Sequence, residues 1–151
     1  VYKRQNINYK YALSCWIYLD SFPPETNASY NEFTSLINIG NKPNILFNVS
    51  LNKLLIKMKV SADHEEILYE STDIIRYQKW NHFVMNYDSG ILDIFINNEL
   101  VSSVQEVVPY KEFDIVSCGS NEGIHGGISN VLYFNHVLGK PKITSLYMQG
   151  H

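Results

Sequence analysis

The stretch from Gln78 to Leu100, QKWNHFVMNYDSGILDIFINNEL, constrains the fold of this chain more than any other. Trp80, His82, Val84 and Asn86 alternate with Asn81, Phe83, Met85 and Tyr87, a period of two that belongs to a strand and not to a helix. Asp88-Ser89-Gly90 then predicts a tight turn, Ile91 to Asn97 runs back, and Asn97-Asn98 turns the chain again into Glu99-Leu100-Val101. Successive strands joined by turns this short must lie antiparallel.

The remaining sequence reads the same way. Tyr9 to Asp20 places Tyr11, Leu13, Cys15, Ile17 and Leu19 on one face and Ala12, Ser14, Trp16 and Tyr18 on the other, so both faces are apolar and the strand is expected in mid-sheet, with Trp16 as a core aromatic. Ser21 to Glu32 carries Pro23-Pro24 and a polar run, which predicts the longest loop. Phe33–Ile39, Asn44–Ser50 and Lys53–Val60 read as three antiparallel strands. In the last, Leu54, Ile56, Met58 and Val60 are expected inward and Lys53, Lys57 and Lys59 in water. Glu99–Val104 continues the meander, and Pro109 belongs to a turn or sheet edge. Phe113–Gly119 and Gly127–Phe134 supply a closing pair. Pro141, followed by Ile143, Leu146 and Tyr147, predicts one short C-terminal helix.

A length of 151 residues suits one domain, and 45% hydrophobic with 13% aromatic residues fits a β-rich core. The formal net charge of -3 offers no basic field, which argues against nucleic acid as a partner. No apolar run approaches the roughly 20 residues of a membrane helix, so membrane insertion is not expected. The chain opens Val1-Tyr2-Lys3-Arg4 with no Met and no signal pattern, which reads as a fragment of a longer polypeptide. Cys15 and Cys118 lack zinc-site spacing and sit in strand patterns, where a free cysteine behaves as a small buried hydrophobe; one disulfide is the alternative.

The order W-x-H-x-x-V, turn, apolar strand, Asn-Asn turn resembles the central signature of concanavalin A-like jelly rolls, in particular laminin-G-like and pentraxin-like domains. Trp16 stands in the family's Trp position, Gly127-Ile128 with Leu132-Tyr133-Phe134 resembles its closing strand, and Ile143, Leu146 and Tyr147 fall in register with its terminal helix. Gly126 replaces the family's usual Phe, a departure expected to loosen the corner, and Val1–Ile7 resembles a remnant of its first strand. The resemblance implies an all-β, antiparallel two-sheet β-sandwich (a concanavalin A-like jelly roll) with one short C-terminal helix, forming a single domain over residues 1–151.

Chemistry is sparse. Glycosidases on this fold carry two carboxylates on one strand, as E-x-D-x-x-E. Here Glu112-Phe113-Asp114-Ile115-Val116-Ser117 lacks the second acid, and no G-x-S-x-G elbow or phosphate-binding glycine loop is present. His82 reads as a packing or hydrogen-bonding histidine. No cofactor is expected, although Asp63-His64-Glu65-Glu66 collects oxygen ligands of the kind calcium takes. Sugar-binding residue types gather in Ser120–Gly126 and the long loop, which makes Tyr30, Asn31, Asn121, Glu122 and His125 the candidate ligand-binding residues. The expected function is a non-catalytic binding or adhesion module recognising glycan or protein through edge loops, beside neighbouring domains of the same polypeptide. The alternative is a structural module in a larger assembly such as a capsid or cell-surface array. The sequons Asn27-Ala28-Ser29 and Asn48-Val49-Ser50 favour an extracellular, cell-surface or virion-associated setting.

Overall fold

The computed structural model describes residues 9–20, 30–110, 115–119 and 123–151. Among them the order is β1 (Lys10–Leu19), β2 (Thr34–Ile39), β3 (Asn44–Asn48), β4 (Lys53–Ser61), β5 (His64–Thr72), β6 (Trp80–Asp88), β7 (Ile91–Ile96), β8 (Glu99–Val104), β9 (Val116–Cys118), β10 (Gly126–Phe134) and α1 (Lys140–Gln149). The strands form two five-stranded antiparallel sheets, ordered β10-β1-β6-β7-β8 and β5-β4-β3-β2-β9. With the single helix, this is the all-β two-sheet class expected from the sequence. The chain divides into two compact units, one made of residues up to Ile17 with Trp80–Val108 and Ile128–His151, the other of Tyr18–Lys79 with Pro109–Gly127. The possible first-strand remnant at Val1–Ile7 lies outside the described residues.

In the first unit the central hairpin forms as predicted. Asp88 pairs with Ile91 and Ile96 with Glu99, leaving two-residue turns at Ser89-Gly90 and Asn97-Asn98. Both residues of each turn have positive φ (51° and 101°, 51° and 70°), the mirror-image turn whose twist matches the flanking strands. The second turn also organises its surroundings. Asn97 Oδ1 accepts the His82 N–H at 2.9 Å, the Asn97 N–H donates to the His82 carbonyl, and its amide Nδ2 donates to Asn81 Oδ1. Asn98 accepts from Lys140 and Thr144, fastening the start of α1. Pro141 occupies the first helical turn, and Ile143 and Leu146 bury against Ala12, Val84 and Leu138. Asn86 completes this contact, its amide bonding both the Leu138 carbonyl (2.8 Å) and the Leu138 N–H (3.0 Å).

His82, 1% exposed, lies under the Trp16 ring at 4.7 Å between centroids, and Trp16 in turn stacks on Tyr147. Its Nε2 meets Ser14 Oγ at 2.9 Å, while Nδ1 finds no hydrogen-bond partner among the described residues. The packing role read from the sequence is therefore the observed one for both His82 and Trp16.

In the second unit β4 departs from the simple alternation. Leu54, Ile56 and Met58 are buried as expected, but Leu55 is buried too and Val60 only half so. The lysines are half-buried rather than immersed in water: Lys53 pairs with Glu70, and the Lys59 ammonium sits 5.6 Å from the Tyr110 ring centre. The acidic cluster sits at a strand boundary, with Asp63 in the turn and His64 opening β5. His64 already pairs with Ser61, so Glu65 and Glu66 lie within β5, and strand alternation sends them to opposite faces, where they cannot converge on one cation. Among the described residues no three His, Cys, Asp or Glu side chains gather closely enough to hold a metal ion. Neither cysteine is in a disulfide; Cys15 is buried, whereas Cys118 is exposed on β9, a three-residue edge strand.

Gly126 corrects the expectation of a loosened corner. A Cβ there would stand 2.0 Å from the Tyr18 carbonyl oxygen, so β10 begins in backbone contact with β1, and the Asp20 N–H donates to the His125 carbonyl at 3.0 Å beside it. The glycine permits a tighter corner than any side chain would. Gly126→Ala is expected to lower the urea midpoint by an amount equivalent to roughly 2–4 kcal/mol, read by equilibrium denaturation.

Burial lowers the His82 pKa to about 4. An unfolded histidine titrates near 6.5, so between about pH 6.5 and 4 the unfolded chain binds the extra proton and stability falls as pH falls. The loss should reach up to about 3 kcal/mol across that window, and His82→Gln should flatten the slope in a pH series of denaturation midpoints.

Candidate binding site at one end of the second sheet

The strand register decides which loops share an end of the second sheet. Thr34 pairs with Phe47, and Ile37 with Cys118. The start of β2, the end of β9 and the β3–β4 turn are therefore together. Tyr30 and Asn31, two of the residues singled out in the sequence, belong to this end: the Tyr30 carbonyl accepts the Ser50 N–H at 3.1 Å, and the Asn31 carbonyl accepts Asn48 Nδ2 at 3.1 Å. Asn48 Oδ1 in turn receives Ser50 Oγ and the Leu51 N–H. The second sequon is thus a buried turn-builder, its Asn48 only 3% exposed.

Three further residues complete the end, and sequence reasoning missed them. Asn52 Nδ2 donates to Asp73 Oδ1 at 3.0 Å while the Asp73 N–H donates to the Asn52 carbonyl, which locks the β3–β4 turn to the exit of β5. Asn52 Oδ1 is sealed from solvent and finds no donor among the described residues. Tyr77 donates its hydroxyl to the Val49 carbonyl at 2.7 Å and sets its ring edge-on to Phe47. Its pKa is raised, first by burial and then by the negative charge of Asp73 and of an ionised Tyr30. Leu51 tops the turn, 57% exposed. The only sequence signal was positional: Leu51-Asn52 and Thr72-Asp73 stand at strand ends.

His125 is exposed and held at a different point. The peptide joining Leu19 to Asp20 accepts the Gln78 N–H and donates to the His125 carbonyl, so Gln78 and His125 flank the end of β1. Asn121 and Glu122 lie outside the described residues, as do Glu112 and Asp114 and the first sequon.

The arrangement can hydrogen-bond and stack, but it holds no evident nucleophile. Among the described residues, the serine–histidine hydrogen bond is Ser14–His82, buried at 2% and 1% exposure. Its imidazole has a pKa near 4 and no partner on Nδ1, so it is a poor base that no substrate can reach.

A search of curated proteins finds no match. Among solved structures the chain is similar to the Botulinum neurotoxin serotype G binding domain, with 15% identity and a TM-score of 0.71 over 95% of this chain and 37% of that one. It is also similar to the binding domain of Botulinum neurotoxin DC in complex with SialylT (17%, TM-score 0.71, 95% and 36%). The same domain in complex with rat synaptotagmin II aligns with a TM-score of 0.69 at 17% identity, again over 95% and 36%. At such identities the likeness shows the fold, and the chain spans little more than a third of the length of these proteins. The sequence profile described as the concanavalin A-like lectin/glucanases superfamily, Laminin_G_3, matches residues 3–144. With nearly its whole length inside that match, the chain belongs to the concanavalin A-like lectin/glucanase superfamily as a laminin-G-like domain.

Proposed function

We propose that this chain is a non-catalytic binding module, that it takes its ligand at the Asn48–Asn52 end of the second sheet, and that the ligand is a glycan. One observation carries the reading: Tyr77 and the Asn52–Asp73 pair are bonded to one fixed turn, and the Tyr30 backbone joins it through Ser50. Amide and carboxylate groups pair with sugar hydroxyls, and phenol rings offer an amphipathic surface beside them. Because the Val49 carbonyl, the Ser50 N–H and the Asn52 carbonyl are tied to Tyr77, Tyr30 and Asp73, the turn is ordered before a ligand arrives, which lowers the entropic cost of binding. Among the described residues of this turn, Leu51 is the one exposed large apolar side chain, a small patch for a protein partner's buried core. Asn121, Glu122 and His125 stay ligand-binding candidates on sequence grounds, with His125 at the end of β1 and not at this turn.

The solved complexes with SialylT and with synaptotagmin support a binding role of either kind for a domain of this fold. A glycan array probed with the intact chain tests the choice. Binding to a defined glycan class is expected, with Asp73→Asn weakening it by about tenfold, equivalent to about 1.4 kcal/mol, at an unchanged denaturation midpoint. An array with no binder, or binding indifferent to Asp73→Asn and Tyr30→Ala, would remove the site.

A further inference from the structure

The first unit carries an aromatic cluster that the sheet-end site does not use. Tyr11 on β1 and Tyr87 on β6, each 4% exposed, stack at 5.2 Å and 26°. Tyr133 on β10 stacks on Tyr11 at 5.9 Å and 17°, and Tyr9 leans on Tyr11 and Tyr87 at 5.4 and 6.4 Å. The outer two are half-exposed, Tyr9 at 53% and Tyr133 at 54%, and their hydroxyls meet at 2.8 Å. The assembly is braced from behind: Tyr87 donates to the Val107 carbonyl at 2.8 Å, and the Tyr9 carbonyl accepts the Ser89 N–H of the central turn.

We infer that the rings of Tyr9 and Tyr133 form a second recognition surface, independent of the sheet end, on which a hexopyranoside with an unbroken C–H face stacks. A sugar ring of this kind is apolar on one face and ringed by hydroxyls, and the surface matches it with phenol faces bordered by phenol oxygens that donate and accept. β-Galactosides are the simplest such ligands, since their axial hydroxyl leaves the C–H groups of the opposite face contiguous. The rings are held by stacking on buried tyrosines, so little rotamer entropy remains to be lost on binding.

Titrating the intact chain, labelled at tyrosine ring carbons, with methyl β-galactopyranoside to about 50 mM tests this, a range set by the millimolar affinity of a single-ring contact. Saturable shifts are expected at Tyr9 and Tyr133, with Tyr30 and Tyr77 reporting separately on the sheet end. Tyr133→Leu should weaken the effect about tenfold, and Tyr133→Phe, which keeps the ring, roughly two- to fivefold. No shift at Tyr9 and Tyr133, or shifts at Tyr30 and Tyr77 alone, would overturn this surface while leaving the sheet-end reading intact. A saturable response to an apolar dipeptide amide but not to the galactoside would assign the surface to a protein partner, and would likewise overturn it.

Discussion

Asparagine amides close this fold at the points where the backbone would otherwise be left with unpaired polar groups. A strand meander satisfies its interior through the ladder, but its turns and the junction with the helix have no such partner. The Asn97 amide accepts the His82 N–H and donates to Asn81, the Asn86 amide bonds both backbone groups of Leu138, and that of Asn48 gathers Asn31, Ser50 and Leu51. Asn98 holds the helix start through Lys140 and Thr144. Each amide offers a donor and an acceptor in one plane, the same pairing a neighbouring strand would present. A chain whose sheets meet loops and a helix at many corners needs such groups, and an apolar residue of equal size would leave two buried groups unsatisfied in its place.

That dependence explains which parts of the structure were legible in the sequence. Period-two alternation identified β1, β4 and β6, and Pro141 with Ile143 and Leu146 identified the helix, because burial writes itself into the order of apolar residues. The Asn97-Asn98 turn was readable because positive φ at two successive positions favours asparagine and glycine. Gly126 was misread: a missing aromatic side chain looks like lost packing until the Tyr18 carbonyl is seen in its place.

The candidate site was legible only in part. Tyr30 and Asn31 could be chosen by residue type in a long loop, but Asn52, Asp73 and Tyr77 come from positions 21 to 47 further along the chain. What unites them is the register Thr34–Phe47 and the bond from Tyr77 to Val49, and register depends on pairing partners that no local pattern names. The tyrosine cluster shows the same limit. Tyr9, Tyr11, Tyr87 and Tyr133 adjoin because β10, β1 and β6 are sheet neighbours, an order that crosses most of the sequence.

The enclosed position of Asn48 bears on how the protein can be made. An oligosaccharyltransferase needs its acceptor amide accessible, and this one is engaged on both its nitrogen and its oxygen once β3 and the following turn have closed. Attachment could therefore happen only on the nascent chain, and a sugar placed there would keep the turn open. In a eukaryotic secretory host the yield of native material would depend on the turn forming faster than the transferase acts, whereas a bacterial cytoplasm imposes no such race.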